Sequence, residues 1–424
     1  MGKQIGRKIA LALGLCTLVL RGAYGQGGQA AKHPLGVPWE LVQFVTPKDN
    51  PSTPEKIELG KQLFNDTRLS ADDTVSCATC HDTNKGFTDR LPTSKGIRDQ
   101  FGKRNAPTVL NSMFLDSQFL DGRVRTLEDQ AKLPIVNPIE MGVKDGAAIV
   151  AKLSAIPEYK AAFQKVFGRP LNYDDIGRAI AAFERTVVSG EAPIDRFIRG
   201  DTNALSAAER RGWTLFNGKG RCNTCHGFNP TYPFFTDNLF HNIGIAAQQA
   251  DFEDLAKRAE KARETGDLAE IDRMALETEF SELGRFLVTK NRSDIGAFKT
   301  NGRRDIVLTA PYMHDGSVAT LWDVVDHYNQ GGEPNPFLDG GIVRLGLTED
   351  EIDALVALMG GAFTSDQFAG QGRAEMERQR QVARANRPER DTEAAMGRKG
   401  DRGDAAPTAD LKDPALIGGR PVSR

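Results

Sequence analysis

The chain has 424 residues, 39% of them hydrophobic and 26% charged, with a formal net charge of −2. That length allows two domains with cores of their own. The near-neutral balance removes any electrostatic reason to expect nucleic acid as a partner.

Residues 1–25 read as a secretory signal peptide, with Lys3, Arg7 and Lys8 before an apolar run from Ile9 to Leu20 and a small-residue stretch ending at Gly25. The apolar run is short for a bilayer span, so no membrane anchor is expected and the mature chain is placed in the periplasm. Residues 26–53 are a Gly/Pro-rich leading segment. A helical pattern from Glu55 to Phe64 then leads into Cys77-Ala78-Thr79-Cys80-His81. A second pattern, Glu209 to Phe216, leads into Cys222-Asn223-Thr224-Cys225-His226.

Each run is C-x-x-C-H, the attachment signature of c-type haem. Two thiols three positions apart on a turn can each form a thioether to the porphyrin edge, and the next residue, a His, is held beneath the iron. A zinc knuckle would need four Cys/His donors with closed spacing. A redox dithiol would not need His directly after the second Cys. Two runs in one exported chain therefore point to two covalently bound c-type haems. Cys77, Cys80, Cys222 and Cys225 would attach them, with His81 and His226 as proximal iron ligands. The fifth cysteine, Cys16, lies in the signal.

Gly60-x-x-Leu63-Phe64-Asn65 and Gly212-x-x-Leu215-Phe216-Asn217 align, each ahead of its C-x-x-C-H. This internal repeat predicts a mainly α fold of two cytochrome-c-like haem domains related by duplication, residues 26–195 and 196–363. Pro193 and the Gly200-Asp201 turn put the connection near residues 190–203. Between the haem runs, Ile176, Ile180, Phe183 and Val187 share one helical face and read as core. Residues 251–282, dense in Lys, Arg, Asp and Glu, read as a helical surface insertion with a solvated face. Residues 364–424 read as a disordered tail.

The chain has six His, none of them between His81 and His226. A nearby His cannot cap the first iron, and the nearest Met candidates are Met113 and Met141. An open iron face means ligand chemistry, such as peroxide binding, rather than electron transfer alone.

Several further motifs follow in order: Arg104-Asn105-Ala106-Pro107-Thr108, Asp121-Gly122-Arg123, Leu127-Glu128-Asp129-Gln130, Asn137-Pro138-Ile139-Glu140-Met141, and Thr309-Ala310-Pro311-Tyr312-Met313-His314-Asp315-Gly316 with Thr320-Leu321. Over roughly residues 45–362 the chain resembles the bacterial di-haem cytochrome c peroxidase family. That family includes true peroxidases and MauG-type enzymes, which oxidise residues of a partner protein. The resemblance implies hydrogen peroxide as oxidant and, as partner, a small cytochrome c or cupredoxin donor or else a protein substrate.

It also implies roles. Glu140 and Gln130 would lie on the distal side of the first haem, where the family uses a glutamate to move a proton as the O–O bond breaks. Many family peroxidases carry a His on the loop corresponding to Ser94–Gly102; this loop has none, as in MauG-type enzymes. Matching from His314-Asp315-Gly316 brings the second haem's axial position to Tyr328, ahead of His327 and Met313 as candidates. MauG-type enzymes carry tyrosine there, an anionic donor that favours ferric iron. Asn105, Thr309 and Pro311 match the family's calcium site through hard oxygen donors. Two departures stand out. Leu120 replaces the tryptophan thought to relay charge between the haems, leaving direct tunnelling, a nearby aromatic such as Phe119, or the loss of fast inter-haem exchange. Gly302-Arg303-Arg304-Asp305 replaces a Leu-Arg-Asn stretch near the second haem. His241 reads as a packing or supporting residue rather than a ligand. A non-catalytic electron-transfer cytochrome is the third reading, disfavoured by Glu140 and Gln130.

Overall fold

The two glycines of the repeat decide how the main helices cross. Helix α2 (Pro54–Asn65) starts at a Thr53 cap and buries Leu59, Gly60, Leu63 and Phe64. A Cβ on Gly60 would stand 1.9 Å from the carbonyl oxygen of Ala179 in α7 (Tyr173–Glu184), so only glycine lets the two backbones meet. Helix α9 (Ala207–Asn217) is capped by a reciprocal Ser206–Glu209 box. Its Gly212 lies as close to α13 (Glu349–Ala357): a Cβ there would sit 2.1 Å from the oxygen of Ala354.

The computed structural model describes residues 39–386, apart from 230–231, 250, 268–269 and 271–277. The signal peptide expected at residues 1–25 lies outside the described residues. Around α2 and α7 stand α1 (Trp39–Val45), the one-turn α3 (Cys77–Cys80), α4 (Leu127–Val136), α5 (Gly146–Ser154) and α6 (Pro157–Phe167). After α8 (Pro193–Ile198) and α9 come α10 (Phe252–Thr265), α11 (Phe286–Thr289), α12 (Leu321–Gln330), α13 and α14 (Ala369–Asn386). The fold is mainly α. Among the described residues the one sheet pairs β1 (Phe240–His241) with β2 (Phe298–Lys299), antiparallel, Phe240 opposite Lys299.

One hydrophobic cluster runs from Leu59 to Val187, with Ile176, Ile180, Phe183 and Val187 in it as their spacing predicts. A second runs from Ala192 to Ala383. A smaller group, Met113, Phe114, Leu127, Ala181 and Phe234, joins early and late segments, with the Phe114 and Phe234 rings stacked 4.3 Å apart. A buried ion pair adds to it. Arg304 reaches Asp195 through Nη1 at 2.8 Å and Nη2 at 2.5 Å.

One expectation is corrected, and the insertion, whose charged face is solvated, has a buried face as well. Phe252, Leu255, Ala256, Ala259 and Ala262 recur at helical spacing along α10 and bury themselves against Leu283, Phe286 and Ile295. The tail is not disordered from residue 364. Helix α14 docks through Gly372, Glu375, Gln379 and Ala383. The stripe is half polar, which hides it from a hydrophobicity reading, but it is satisfied. Gln379, 0% exposed, donates to Val307 O at 3.0 Å and accepts from Leu321 N at 3.0 Å. Residues 387–424 lie outside the described residues.

Candidate functional site

The first C-x-x-C-H run is wound by local bonds. The backbone N–H of Ser76 donates to Thr79 Oγ1 at 3.0 Å, and that of His81 to Cys77 O at 2.9 Å. His81 Nδ1 lies 3.2 Å from Phe87 O. A carbonyl can only accept, so Nδ1 carries the proton and Nε2 keeps its lone pair free. The second run repeats the arrangement: His226 N donates to Cys222 O at 2.9 Å, and His226 Nδ1 to Phe235 O at 2.9 Å. Burial depresses the pKa of both imidazoles, which keeps them neutral.

The four cysteines are free thiols rather than disulfides. Neutral imidazoles with Nδ1 fixed by a carbonyl, beside paired thiols, suit haem iron and thioether attachment. They do not make a zinc site. Among the described residues, Cys225, Asp237 and His241 alone bring three metal-type ligand atoms within 4.8 Å of one another. Both His241 nitrogens are already engaged, Nδ1 with Asp339 at 2.6 Å and Nε2 with Asp237 at 2.9 Å.

Glu140 stands on the turn after α4. Asn137 Nδ2 donates to its Oε1 at 3.0 Å, while Asn137 Oδ1 accepts from Ile139 N at 2.9 Å. Burial pushes the Glu140 pKa up, and Arg123 offsets part of this. Its charge is felt at Cys77 and Cys80 of the first C-x-x-C-H turn. The loop without histidine packs on the same turn: Ile97 N donates to Glu140 O at 3.0 Å, and a Cβ on Gly96 would be 1.9 Å from Ile139 O. Gln130 is a partly exposed residue of α4.

The second C-x-x-C-H turn opens onto a large, mostly apolar cavity also bordered by Arg303, Met313 and Tyr328. The Tyr328 phenol has Arg303, Cys225 and Cys222 as its electrostatic neighbours, and burial raises its pKa. His327 turns elsewhere, with Nε2 2.8 Å from Ile243 O. Leu120 and Phe119 border the same cavity, as do Asn105, Thr309 and Pro311. Leu120 O accepts from Lys299 N at 2.8 Å, and Asn105 N donates to His314 O at 2.7 Å.

The family described as di-haem cytochrome c peroxidase matches residues 54–203. The methylamine utilization protein MauG of Methylorubrum extorquens is 38% identical over 315 residues, 74% of this chain and 79% of that protein. The cytochrome-c peroxidase IdrP1 of Denitromonas iodatirespirans is 37% identical over 363 residues, 83% and 92% of the two chains. The chain belongs to the di-haem cytochrome c peroxidase/MauG family. A crystal structure of a MauG-like protein associated with microbial copper homeostasis superposes with a TM-score of 0.64 at 29% identity, covering 81% of this chain and 97% of that one.

This family member is an oxidoreductase of the di-haem peroxidase type, and membership implies two c-type haems. Among the described residues, no helix is long and apolar enough to cross a membrane. Three features of the site had no role in the sequence reading. Glu184, buried in α7, has its pKa pushed up to about 8 by desolvation, and its charge reaches Cys77. The His314 ring, which like Leu120 lines the cavity, stacks on Phe298 with centroids 3.7 Å apart, and its Nε2 lies 2.6 Å from Glu282. Arg303 donates to His226 Nε2 through Nη2 at 2.9 Å. In sequence, Glu184-Arg185 looks like a solvated charge pair and Glu282 like part of a surface helix. Arg303 signals itself only as a departure from the family pattern.

Proposed function

We propose that this oxidoreductase reduces hydrogen peroxide to water in the periplasm, taking two electrons from a small cytochrome c or cupredoxin and two protons from solvent. The observation that carries this reading is Glu140, a half-buried carboxylate held by Asn137, whose charge is felt at Cys77 of the first C-x-x-C-H turn. The haem that His81 would hold would supply the iron chemistry by which peroxide is reduced. Asn137 occupies Glu140 Oε1, which leaves Oε2 to take a proton from one peroxide oxygen and return it to the other as the O–O bond breaks. Gln130 orients peroxide from α4. His81 and His226 hold the two irons, and Cys77, Cys80, Cys222 and Cys225 carry the thioethers. Tyr328 would hold the second haem's iron together with His226, both lining the same cavity. Asn105, Thr309 and Pro311, which border the same cavity, would supply hard oxygen donors to a calcium ion.

We also read two haem domains, 26–195 and 196–363, as products of duplication. What supports it, besides the paired glycines, is a repeated turn. Bridges Gln118–Val124 and Tyr312–Val318 each enclose a residue at positive φ, Phe119 and Met313, and a glycine, Gly122 and Gly316. Each turn is followed by a threonine cap: Thr126 accepts from Asp129 N, and Thr320 from Asp323 N.

Mixing the holo-protein with peroxide and reduced small cytochrome c should oxidise two equivalents of donor per peroxide. A second reading, MauG-like oxidation of a partner protein, is favoured by Tyr328 and by the histidine-free loop Ser94–Gly102. Peroxide-induced haem spectral changes with no donor oxidation would select that reading over the first.

A further inference from the structure

Consecutive arginines in the second half of the chain are treated very differently. Arg304 is paired bidentately with Asp195. Arg303 has no such partner. Among the described residues no carboxylate lies within 4.0 Å of its guanidinium, which instead donates to His226 Nε2, by Nη2 at 2.9 Å and Nε at 3.2 Å. The groups that favour its charge are Tyr328, Cys222, Cys225 and Tyr312. A half-buried guanidinium that faces an apolar cavity without an anion is poorly compensated.

That arrangement cannot persist in the holo-protein under the assignments above. His226 Nε2 has a single lone pair, and iron takes it. Cys222 and Cys225 become neutral thioethers. The oxyanions then available at this cavity would be Tyr328, as a phenolate, and the carboxylates that a haem brings on its own propionates. We propose that Arg303 is the charge partner of the second haem, binding an oxyanion of the haem or of the Tyr328 side chain. The proposal rests on the assignment of His226 to that haem. A fixed positive charge there favours the ferrous state, so Arg303 raises the second haem's reduction potential and opposes the phenolate, which favours ferric iron.

The test is spectroelectrochemical titration of both haems in holo-protein carrying R303L, R303Q and R303K. The two neutral variants should each move the second haem's ferric/ferrous equilibrium at least tenfold toward ferric, 59 mV for one electron. The first haem should stay unchanged, and R303K should stay within threefold of the parent. If R303L fails to accumulate, R303Q carries the same reading. Equal shifts at both haems, or no shift at the second, overturn the proposal. A Y328F background separates the sources: a shift that persists without the phenol assigns the propionates, and a shift that vanishes assigns the phenolate. If Y328F alone leaves the second haem's spectrum untouched, the axial reading of Tyr328 fails, and the R303L shift still decides the case for Arg303.

Discussion

Asn137 donates through Nδ2 to Oε1 of Glu140 at 3.0 Å, on a turn whose backbone is in turn pinned by Ile97. One side chain thus fixes the orientation of the carboxylate and leaves a single oxygen for proton transfer. Glu140→Gln keeps the shape and the hydrogen bond but cannot accept a proton. It should lower kcat/KM for peroxide on the order of 100-fold or more, with both haem spectra unchanged. A smaller loss, below about threefold, would remove Glu140 from the proton path.

The pH dependence follows from the same residue. Burial raises the Glu140 pKa above its ordinary 4.5, with Arg123 opposing. Glu140 must be ionised to take the first proton, so kcat/KM should fall as pH drops through that raised pKa. The acid limb should lie above pH 4.5 and be absent from the Glu140→Gln profile.

The two helix crossings make a stability prediction. Gly60→Ala and Gly212→Ala each drive a methyl into a backbone carbonyl, at 1.9 and 2.1 Å. A carbonyl fixed within a helix cannot step aside as a flexible side chain would. Each variant should lose about 1–3 kcal/mol or more, read as a lower Tm. Unchanged stability in both would mean that the helices do not cross there.

Much of this frame was legible because spacing carries geometry. The glycine of G-x-x-L-F-N must lie on the face shared with Leu63 and Phe64, and the C-x-x-C-H spacing can only be a turn. Threonine and serine caps mark where helices begin. What stayed hidden depends on partners distant in sequence. Glu184-Arg185 ends an amphipathic helix and looks solvated, yet Arg185 is spent on Glu128 at 2.7 Å and Glu184 is left buried. Helix α14 hides its contact stripe by using Glu375 and Gln379 in it. The His314–Glu282 bond joins residues that no periodicity relates.

Glu184 gives a prediction of its own. Its folded pKa of about 8 exceeds the ordinary 4.5, so between those values the unfolded chain ionises while the folded protein holds its proton. Its contribution to stability is therefore full below about pH 4.5 and lost as pH rises to about 8, at up to about 1.4 kcal/mol per pH unit. Glu184→Gln should remove this loss. Denaturation midpoints of the two proteins should diverge across that window, the variant becoming relatively more stable. Parallel curves would show that Glu184 titrates normally.

The measurement that bears most directly on the account is peroxide turnover by the fully oxidised holo-protein, with reduced small cytochrome c supplied only after peroxide. No histidine lies on the loop Ser94–Gly102, and the charge of Glu140 is felt at Cys77 of the first C-x-x-C-H turn. The account predicts immediate reaction with peroxide, followed by oxidation of two donor equivalents per peroxide consumed. A protein that ignores peroxide until its second haem is reduced, or that never passes electrons from the donor, would contradict it.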